Sequence, residues 1–121
     1  MGNWSIDMSD CLVCKIIAGE IPSTKVYEDE QVYAFKDINP LAPVHILVIP
    51  KEHISGASEI TAENSSVVSK IFEAAAKIAK EQGIAEDGFR IVTNCGENGC
   101  QSVHHLHFHI LGGRKLEVAM G

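Results

Sequence analysis

No stretch of this 121-residue sequence is apolar over the length of a membrane span, and its first residues lack the basic and then apolar segments of a secretory signal. Lys and Arg number 10 against 16 Asp and Glu, a net charge of -6, which excludes the clustered basic surface that nucleic-acid binding requires. Internal repeats and long polar tracts are also absent, which excludes repeat and disordered classes. We therefore expect one cytoplasmic domain over residues 1–121, with a flexible segment at residues 1–9, that contacts neither membrane nor nucleic acid.

The sequence contains four cysteines, which in the cytoplasm are expected to be thiols or metal ligands rather than disulfides. Cys11 and Cys14 have the spacing of metal ligands, but such a pair supplies only half of a tetrahedral site. The alternative for this pair is two thiols on a short helix. Cys95 and Cys100 are candidates for completing a four-cysteine site, although they are separated by four residues of a glycine-containing loop.

Residue periodicity predicts an α+β domain with two helices and five strands. The segment CLVCKIIA, residues 11–18, is short, mostly apolar and followed by Gly19, as is typical of a short helix. A long helix is predicted to begin at Thr61 and to end before Gly83, because apolar residues recur there every three or four positions. The strand-like segments are KVYED, VYAFKDI and VHILVIP before this helix and FRIVTN and SVHHLHFHIL after it. Since no strand–helix–strand unit repeats, we predict an antiparallel sheet.

Histidines recur at alternate positions in the last predicted strand. Side chains two residues apart on a strand share one face, so His105, His107 and His109 are predicted to project together. The residues between them, Leu106, Phe108 and Ile110, then face the core. A row of imidazoles offers no packing advantage over Val or Thr, which favours a chemical role for the row.

Two kinds of chemistry fit such a row. Two of the histidines can bind Zn²⁺ with a third ligand from elsewhere, leaving an open position for hydrolysis. Alternatively, one imidazole is a nucleophile and the others assist it as acids or bases. The preceding segment NCGENGCQS, residues 94–102, contains glycines and polar side chains that can form an anion-binding loop. The residues alone leave both possibilities open.

The stretch QSVHHLHFHILGGR resembles the His-φ-His-φ-His-φ-φ signature of the histidine triad (HIT) superfamily. Its GGR ending and the segment CLVCKIIAGEIPSTKVYEDEQVYAFKDINPLAPVHILVIPKEHI are similar to the Hint-type branch of that superfamily. The resemblance covers nearly the whole chain. It implies a purine nucleoside monophosphate site and a homodimer in which the antiparallel sheet continues from one protomer to the other.

The resemblance also implies catalytic roles for five residues. His107 matches the nucleophile that attacks the α-phosphorus, and His109 matches the residue that contacts the phosphate. His105 and His45 match the histidines that support the nucleophile through hydrogen bonds. Ser102 matches the hydroxyl that assists the leaving group. For His45, a core histidine bonded to backbone is the alternative, because it lies within an apolar strand.

Four further positions match nucleotide-binding residues. Asp37 matches the carboxylate that binds the ribose hydroxyls, and Ile38 an apolar contact to the nucleoside. Asn94 matches an amide near the phosphate. Asp37 and Asn94 are also typical turn residues, which is the alternative for each. Cys100 stands where the Hint-type loop usually has glycine, so its side chain either obstructs the phosphate or is held in a conformation that favours glycine.

A structural zinc site is implied for the bacterial relatives that share the N-terminal Cys-x-x-Cys. The matching residues here are Cys11, Cys14, His53 and His105. This set would attach the short N-terminal helix to the sheet, and it would give His105 two roles.

The function implied is that of a nucleoside phosphoramidase, which releases AMP or GMP from a phosphorus–nitrogen linkage through a nucleotidyl-histidine and uses no organic cofactor. A dinucleoside polyphosphate hydrolase of the same superfamily is the alternative enzyme, although the GGR ending differs from the PR of that branch. A metal hydrolase and a nucleotide-binding regulatory protein with incidental catalysis are the other candidates.

Overall fold

The computed structural model of the protein describes residues 11–119, and within them the elements follow the predicted order. The prediction of a flexible segment at residues 1–9 concerns residues outside this range. The helices are α1 (Leu12–Ile17) and α2 (Ser66–Glu81), and the strands are β1 (Lys25–Glu28), β2 (Val32–Lys36), β3 (Val44–Pro50), β4 (Arg90–Val92) and β5 (Phe108–Gly112). One 3-10 turn, Ala57–Glu59, was not predicted. Neither helix of the described part is long and apolar enough to cross a membrane.

The strands form one antiparallel sheet in the order β1-β2-β3-β5-β4. The predicted α+β class and five-stranded sheet are therefore confirmed. The central strand, β3, pairs with β2 and β5, as its continuous apolar sequence indicates. It ends at Pro50, which has no N–H with which to extend the ladder.

The two faces of the sheet carry different layers. On β3, Ile46 and Val48 belong to the larger apolar cluster, which contains the buried face of α2, while Ile49 belongs to a smaller cluster that contains residues of α1. Each buried Ile or Val contributes about 1.5–3 kcal/mol, so this packing holds the helices on the sheet. The smaller cluster comprises Cys11, Val13, Tyr33, Phe35 and Ile49. As a result, the short helix and the sheet enclose a space on the face opposite α2.

The long helix begins later than predicted, at Ser66 instead of Thr61. The Asn64 side chain accepts a hydrogen bond from the Thr61 N–H at 2.7 Å and donates one to the Glu59 carbonyl at 3.1 Å. These bonds hold the preceding residues in turns, which is the competition with helix that short polar side chains exert. The end agrees with the prediction, since Gly83 follows the helix with a positive φ of 73°.

The last strand is shorter than predicted, and this is a correction that concerns the site. SVHHLHFHIL was expected to be one strand, but only its end, from Phe108, pairs in the sheet. The partner strand runs out at Pro50, and the Leu106 N–H instead donates to the Ile54 carbonyl of the following loop at 2.6 Å. The alternation of faces persists nevertheless, since Leu106, Phe108 and Ile110 all belong to the larger cluster.

Candidate active site

A cleft of about 290 Å³ opens on the face of the sheet that carries α1. It is lined by five of the residues predicted for catalysis or nucleotide binding, namely Asp37, Ile38, Ser102, His107 and His109. The α1 helix contributes the apolar side chains of Leu12, Val13 and Ile16 to the same cleft. The apolar pattern predicted α1 but not its place in the cleft. The site thus combines polar groups at the start of β5 and just after β2 with an apolar wall.

The proton positions on His107 follow from its hydrogen bonds. The residue is 8% exposed, and its Nδ1 lies 2.7 Å from the backbone carbonyl oxygen of His105. A carbonyl only accepts, so Nδ1 carries the proton and Nε2 keeps its lone pair. The Thr93 hydroxyl donates to the His107 carbonyl at 2.8 Å and fixes the backbone there. His107 therefore has the tautomer that a nucleophilic imidazole needs.

A hydrogen-bonded chain also fixes the tautomer of His109. The Leu41 N–H donates to His45 Nδ1 at 3.0 Å, so His45 carries its proton on Nε2. His45 Nε2 lies 2.9 Å from His109 Nδ1 and donates to it. The remaining proton of His109 is therefore on Nε2, which can donate to a phosphate oxygen in the cleft. His45 was expected to support His107, whereas the bond it makes in this chain orients His109. The contribution of the Leu41 N–H gave no sequence signal.

Burial keeps both of these histidines neutral at pH 7. It lowers the pKa of His109 to about 4, and the neighbouring His107 and His45 rings act in the same direction. Burial also lowers the pKa of His45, against the opposing effect of Asp37. The hydrogen-bonded chain thus keeps one arrangement of protons over the neutral range.

Asp37 initiates a turn and also lines the cleft, so the two alternatives left by the sequence are compatible. One carboxylate oxygen accepts from the Asn39 N–H at 2.8 Å, which is the bond of a turn-initiating aspartate. The other lies 3.5 Å from His45 Nε2, and the residue lines the cleft. Beside it, Ile38 is 90% exposed and lines the same cleft. Turn formation therefore holds the carboxylate where it can still bind a ligand.

The glycine-containing loop contributes less to the cleft than predicted. Ser102 lines the cleft, whereas Asn94 and Cys100 do not. Gln101 holds the loop, because its side chain accepts from the Gly96 N–H at 2.9 Å and donates to the Ser55 carbonyl at 2.6 Å. This role of Gln101 was missed, since an amide next to a catalytic motif gives no signal of its bonding partners.

Cys100 adopts the backbone conformation that favours glycine. Its φ of 62° is the one positive value at a residue other than glycine in the described part of the chain. Left-handed backbone costs a residue with a Cβ about 1–2 kcal/mol, a cost that glycine avoids. Of the two effects considered for Cys100, the conformational one is therefore present.

We expect Cys100→Gly to raise the free energy of unfolding by about 1 kcal/mol, because the left-handed strain disappears. Urea denaturation followed by circular dichroism measures this. Cys100→Ala is the matched control, since it removes the thiol but keeps the Cβ and its strain. Equal stabilisation by both substitutions would contradict the explanation.

A second group of side chains brings together the four predicted metal ligands. Their ligand atoms, the sulfurs of Cys11 and Cys14 and a ring nitrogen of His53 and of His105, all lie within 4.8 Å of one another. His105 Nδ1 is 3.4 Å from Cys11 Sγ, 3.6 Å from Cys14 Sγ and 3.2 Å from His53 Nδ1. Cys14 Sγ is 3.4 Å from His53 Nδ1. Zinc bond lengths place ligand atoms about 3.3 Å apart for two nitrogens and about 3.6 Å for nitrogen and sulfur, so the set fits tetrahedral zinc.

The protonation of this group also suits a cation. His105 Nε2 donates to the Pro50 carbonyl at 2.8 Å, which leaves Nδ1 with a lone pair directed at the sulfurs. Burial and the adjacent Cys11 sulfur raise the pKa of Cys14 to about 12. Two thiolates this close therefore require a positive charge between them. The alternative four-cysteine site is wrong, since Cys95 and Cys100 join no metal-ligating group within residues 11–119.

The three histidines of the motif thus separate into three environments. Asp37, His45 and His109 also lie close enough to hold a metal, but His45 Nε2 carries a proton and donates it to His109. That group is a hydrogen-bonded chain. His105 belongs to the cysteine cluster and His107 to neither group. The sequence left open a hydrolytic metal held jointly by the row of histidines. The three histidines do not share one metal-ligating group, so their positions do not fit that possibility.

Comparison with known proteins agrees with this geometry. A family model described as "HIT domain" matches residues 18–116. A 14 kDa zinc-binding protein of Zea mays is 48% identical over 118 residues, covering 96% of this chain and 91% of that protein. A purine nucleoside phosphoramidase of Escherichia coli is 47% identical over 107 residues, with 88% and 90% covered. The structure of a HIT family hydrolase from Clostridium thermocellum superposes with a TM-score of 0.91 at 51% identity, over 94% of this chain and 99% of that one.

Proposed function

The chain belongs to the histidine triad (HIT) family, in its Hint-type branch, and on that premise we propose that it is a purine nucleoside phosphoramidase. Its substrate is AMP or GMP joined through phosphorus to an amine, and its product is the free nucleotide. The observation that carries the proposal is the bond from His107 Nδ1 to the His105 carbonyl, which leaves a nucleophilic nitrogen in the cleft. The similarity to a purine nucleoside phosphoramidase supports the same reaction.

The reaction proceeds in two displacements at phosphorus. His107 Nε2 forms a bond to the α-phosphorus while the phosphorus–nitrogen bond to the amine breaks, and the departing nitrogen takes up a proton from solvent to leave as the amine. Ser102, which lines the cleft, donates a hydrogen bond to the departing amine. Water then attacks the nucleotidyl-histidine and its hydroxyl forms the new bond to phosphorus while the bond to His107 Nε2 breaks. The remaining proton of the water returns to solvent, which restores the proton taken up in the first step.

His109 stabilises the charge that develops on the phosphate oxygens. With Nδ1 occupied by the bond from His45, its Nε2–H is oriented before substrate arrives. A preoriented donor in a partly buried cleft stabilises a transition state without the cost of reorganisation. Because the His109 ring is neutral, it acts by hydrogen bonding and not as a cation.

Nucleoside binding is assigned to Asp37, Ile38 and the apolar wall of the cleft. Asp37 accepts hydrogen bonds from the ribose hydroxyls, and Ile38 contacts the nucleoside through its exposed apolar surface. Asn94 and Cys100 lie outside the cleft lining, so their part in phosphate binding requires the loop to approach the bound nucleotide. The apolar wall of α1 is suited to the faces of a purine base.

Substrate comparison tests this function. The purified protein is expected to release AMP from adenosine 5′-phosphoramidate with a kcat/KM about 100-fold or more above that for a diadenosine polyphosphate, a preference within the reach of a site that recognises the leaving group. Faster cleavage of the polyphosphate would favour the alternative enzyme of the superfamily. Tight AMP binding without release from either substrate would favour a regulatory nucleotide-binding protein.

We also assign zinc to the cluster of Cys11, Cys14, His53 and His105. The distances fit a tetrahedral site, and the similarity to a 14 kDa zinc-binding protein supports the assignment. Zinc here is structural, because all four positions are filled by side chains and none remains for substrate. It joins the start of α1 to the loop after β3 and to the histidine motif.

Finally, we propose that two copies form a homodimer by continuing the sheet. The edge strand β1 begins with Lys25 and is interrupted by an irregularity between Lys25 and Tyr27, features that discourage further pairing. The other edge, β4, pairs regularly with β5 and is apolar in Ile91 and Val92, which favours it as the joining strand. A molar mass of twice the chain mass in light scattering is expected, and a monomer would contradict the proposal.

A further inference from the structure

The cysteine cluster and the nucleotide cleft share a helix and a histidine. We propose that zinc binding and nucleotide binding are thermodynamically coupled, so that AMP in the cleft tightens zinc binding in the cluster and zinc tightens AMP binding to the same degree. The inference rests on the proposed function, since it takes AMP and zinc as the ligands of the two sites.

The first link between the sites is α1. This helix has six residues, too few to be stable without tertiary contacts. Cys11 caps its start, accepting from the Cys14 N–H at 3.4 Å, and both sulfurs belong to the cluster. Leu12 and Ile16, on the same helix, line the cleft. The cysteine side chains that hold α1 at the cluster therefore also hold the apolar wall of the cleft in place.

The second link is His105. Its ring nitrogen Nδ1 faces the cysteine sulfurs, while its backbone carbonyl accepts the Nδ1–H of His107. His105 is fully buried, and its Nε2 bond to the Pro50 carbonyl leaves the ring little freedom. Because the ring cannot turn independently of its backbone, a displacement of the ring after loss of the cation also displaces the His105 carbonyl. That carbonyl orients the proposed nucleophile, His107.

The sign of the coupling is positive because each ligand orders what the other requires. Ordering α1 has an entropic cost, and the ligand that binds second no longer bears it. Linkage then requires equal and reciprocal changes in the two affinities. The expected factor is about fivefold or more, the lower end of typical couplings.

Competition with a chromogenic chelator tests the proposal on the full chain. With saturating AMP, we expect the zinc dissociation constant to fall by about fivefold or more, and calorimetry should give an equal weakening of AMP binding after zinc removal. Hydrogen exchange should show that zinc removal exposes the amides of α1 while those of β3 stay protected. Loss of protection throughout the sheet would overturn the proposal, because the linkage would then be global unfolding.

Two variants of α1 separate the helix from its cleft surface. Leu12→Ala keeps both cysteines and places a good helix former in α1, but it removes the contact that the half-exposed Leu12 side chain makes in the cleft. The factor by which AMP changes the zinc dissociation constant should therefore fall towards one. Lys15 lies on the same helix but outside the cleft lining, so Lys15→Ala should show the same AMP-dependent change in zinc affinity as the native protein. Asp37→Asn should weaken AMP binding, so that a higher AMP concentration is needed to produce the same change in zinc affinity.

The outcomes distinguish this inference from the proposed function. If AMP binds but leaves the zinc dissociation constant unchanged, the coupling is refuted and the nucleotide site stands. If the protein binds no AMP, or if it retains no zinc, the corresponding part of the proposed function fails and the coupling fails with it.

Discussion

Substitution of His107 by alanine is expected to lower kcat/KM for adenosine 5′-phosphoramidate by about 10⁴-fold or more, the loss typical of removing a catalytic nucleophile. His107 is the ring in the cleft whose Nδ1–H is held by a carbonyl and whose Nε2 is free to attack. No other ring takes its place, because His109 presents an Nε2–H to the cleft and His105 faces the cysteines. Steady-state release of AMP measures the effect.

The controls for this substitution separate chemistry from folding. His107→Ala should still bind AMP and keep the far-ultraviolet circular dichroism of the native protein, since the neighbouring Leu106 and Phe108 hold the segment in the core. His104→Ala, at the adjacent histidine that does not line the cleft, should cleave substrate at close to the native rate. A folded His107→Ala protein with near-native turnover would refute the proposed mechanism.

The second large effect is expected at the cysteine cluster. Cys14→Ala should abolish zinc binding and lower the free energy of unfolding by about 4 kcal/mol, the stabilisation given by a ligand present at 1,000 times its dissociation constant. Cys14 Sγ lies within 3.6 Å of the ligand nitrogens of both His53 and His105, so its loss removes one of the four ligands of the tetrahedral set. For a domain of this size the change corresponds to a fall in Tm of roughly 10 °C or more.

Metal analysis by mass spectrometry and thermal unfolding measure the two results of Cys14→Ala. Cys95→Ala serves as the control, because Cys95 lies outside the cluster. Its environment also differs, since hydrogen bonds from the Ser58 hydroxyl and backbone lower the pKa of Cys95, whereas the pKa of Cys14 is raised. This variant should keep one zinc per chain and a Tm well above that of Cys14→Ala, because it loses only the hydrogen bonds to its sulfur. Unchanged zinc content or Tm in Cys14→Ala would rule out a structural zinc at this cluster.

The alternation of His105, His107 and His109 with apolar residues could be predicted from the sequence even though the position at which the strand begins could not. Burial of Leu106, Phe108 and Ile110 depends on side-chain period and survives where strand pairing ends. The end of pairing depends on Pro50, a residue of another strand, and on the loop that takes the Leu106 N–H. Single-sequence patterns carry no information on such partners.

Much of the candidate site is set by backbone groups that leave no trace in the sequence. The Leu41 N–H, the Pro50 carbonyl and the His105 carbonyl fix the tautomers of three histidines. Any residue other than proline supplies the same N–H, and every residue supplies the carbonyl, so their use depends on the fold alone. In contrast, side chains with special chemistry, such as Cys11 and Cys14, could be named as candidate metal ligands in advance because their spacing and residue type carry a signal.

The nucleotidyl-histidine tests the central claim most directly. The native protein and the slower His109→Ala variant would be mixed briefly with adenosine 5′-phosphoramidate, quenched, and examined by intact-mass and peptide mass spectrometry. We predict one AMP group per chain, attached to His107 and lost on further incubation in water. Turnover by both proteins with no adduct, or with the adduct on a residue other than His107, would contradict the account.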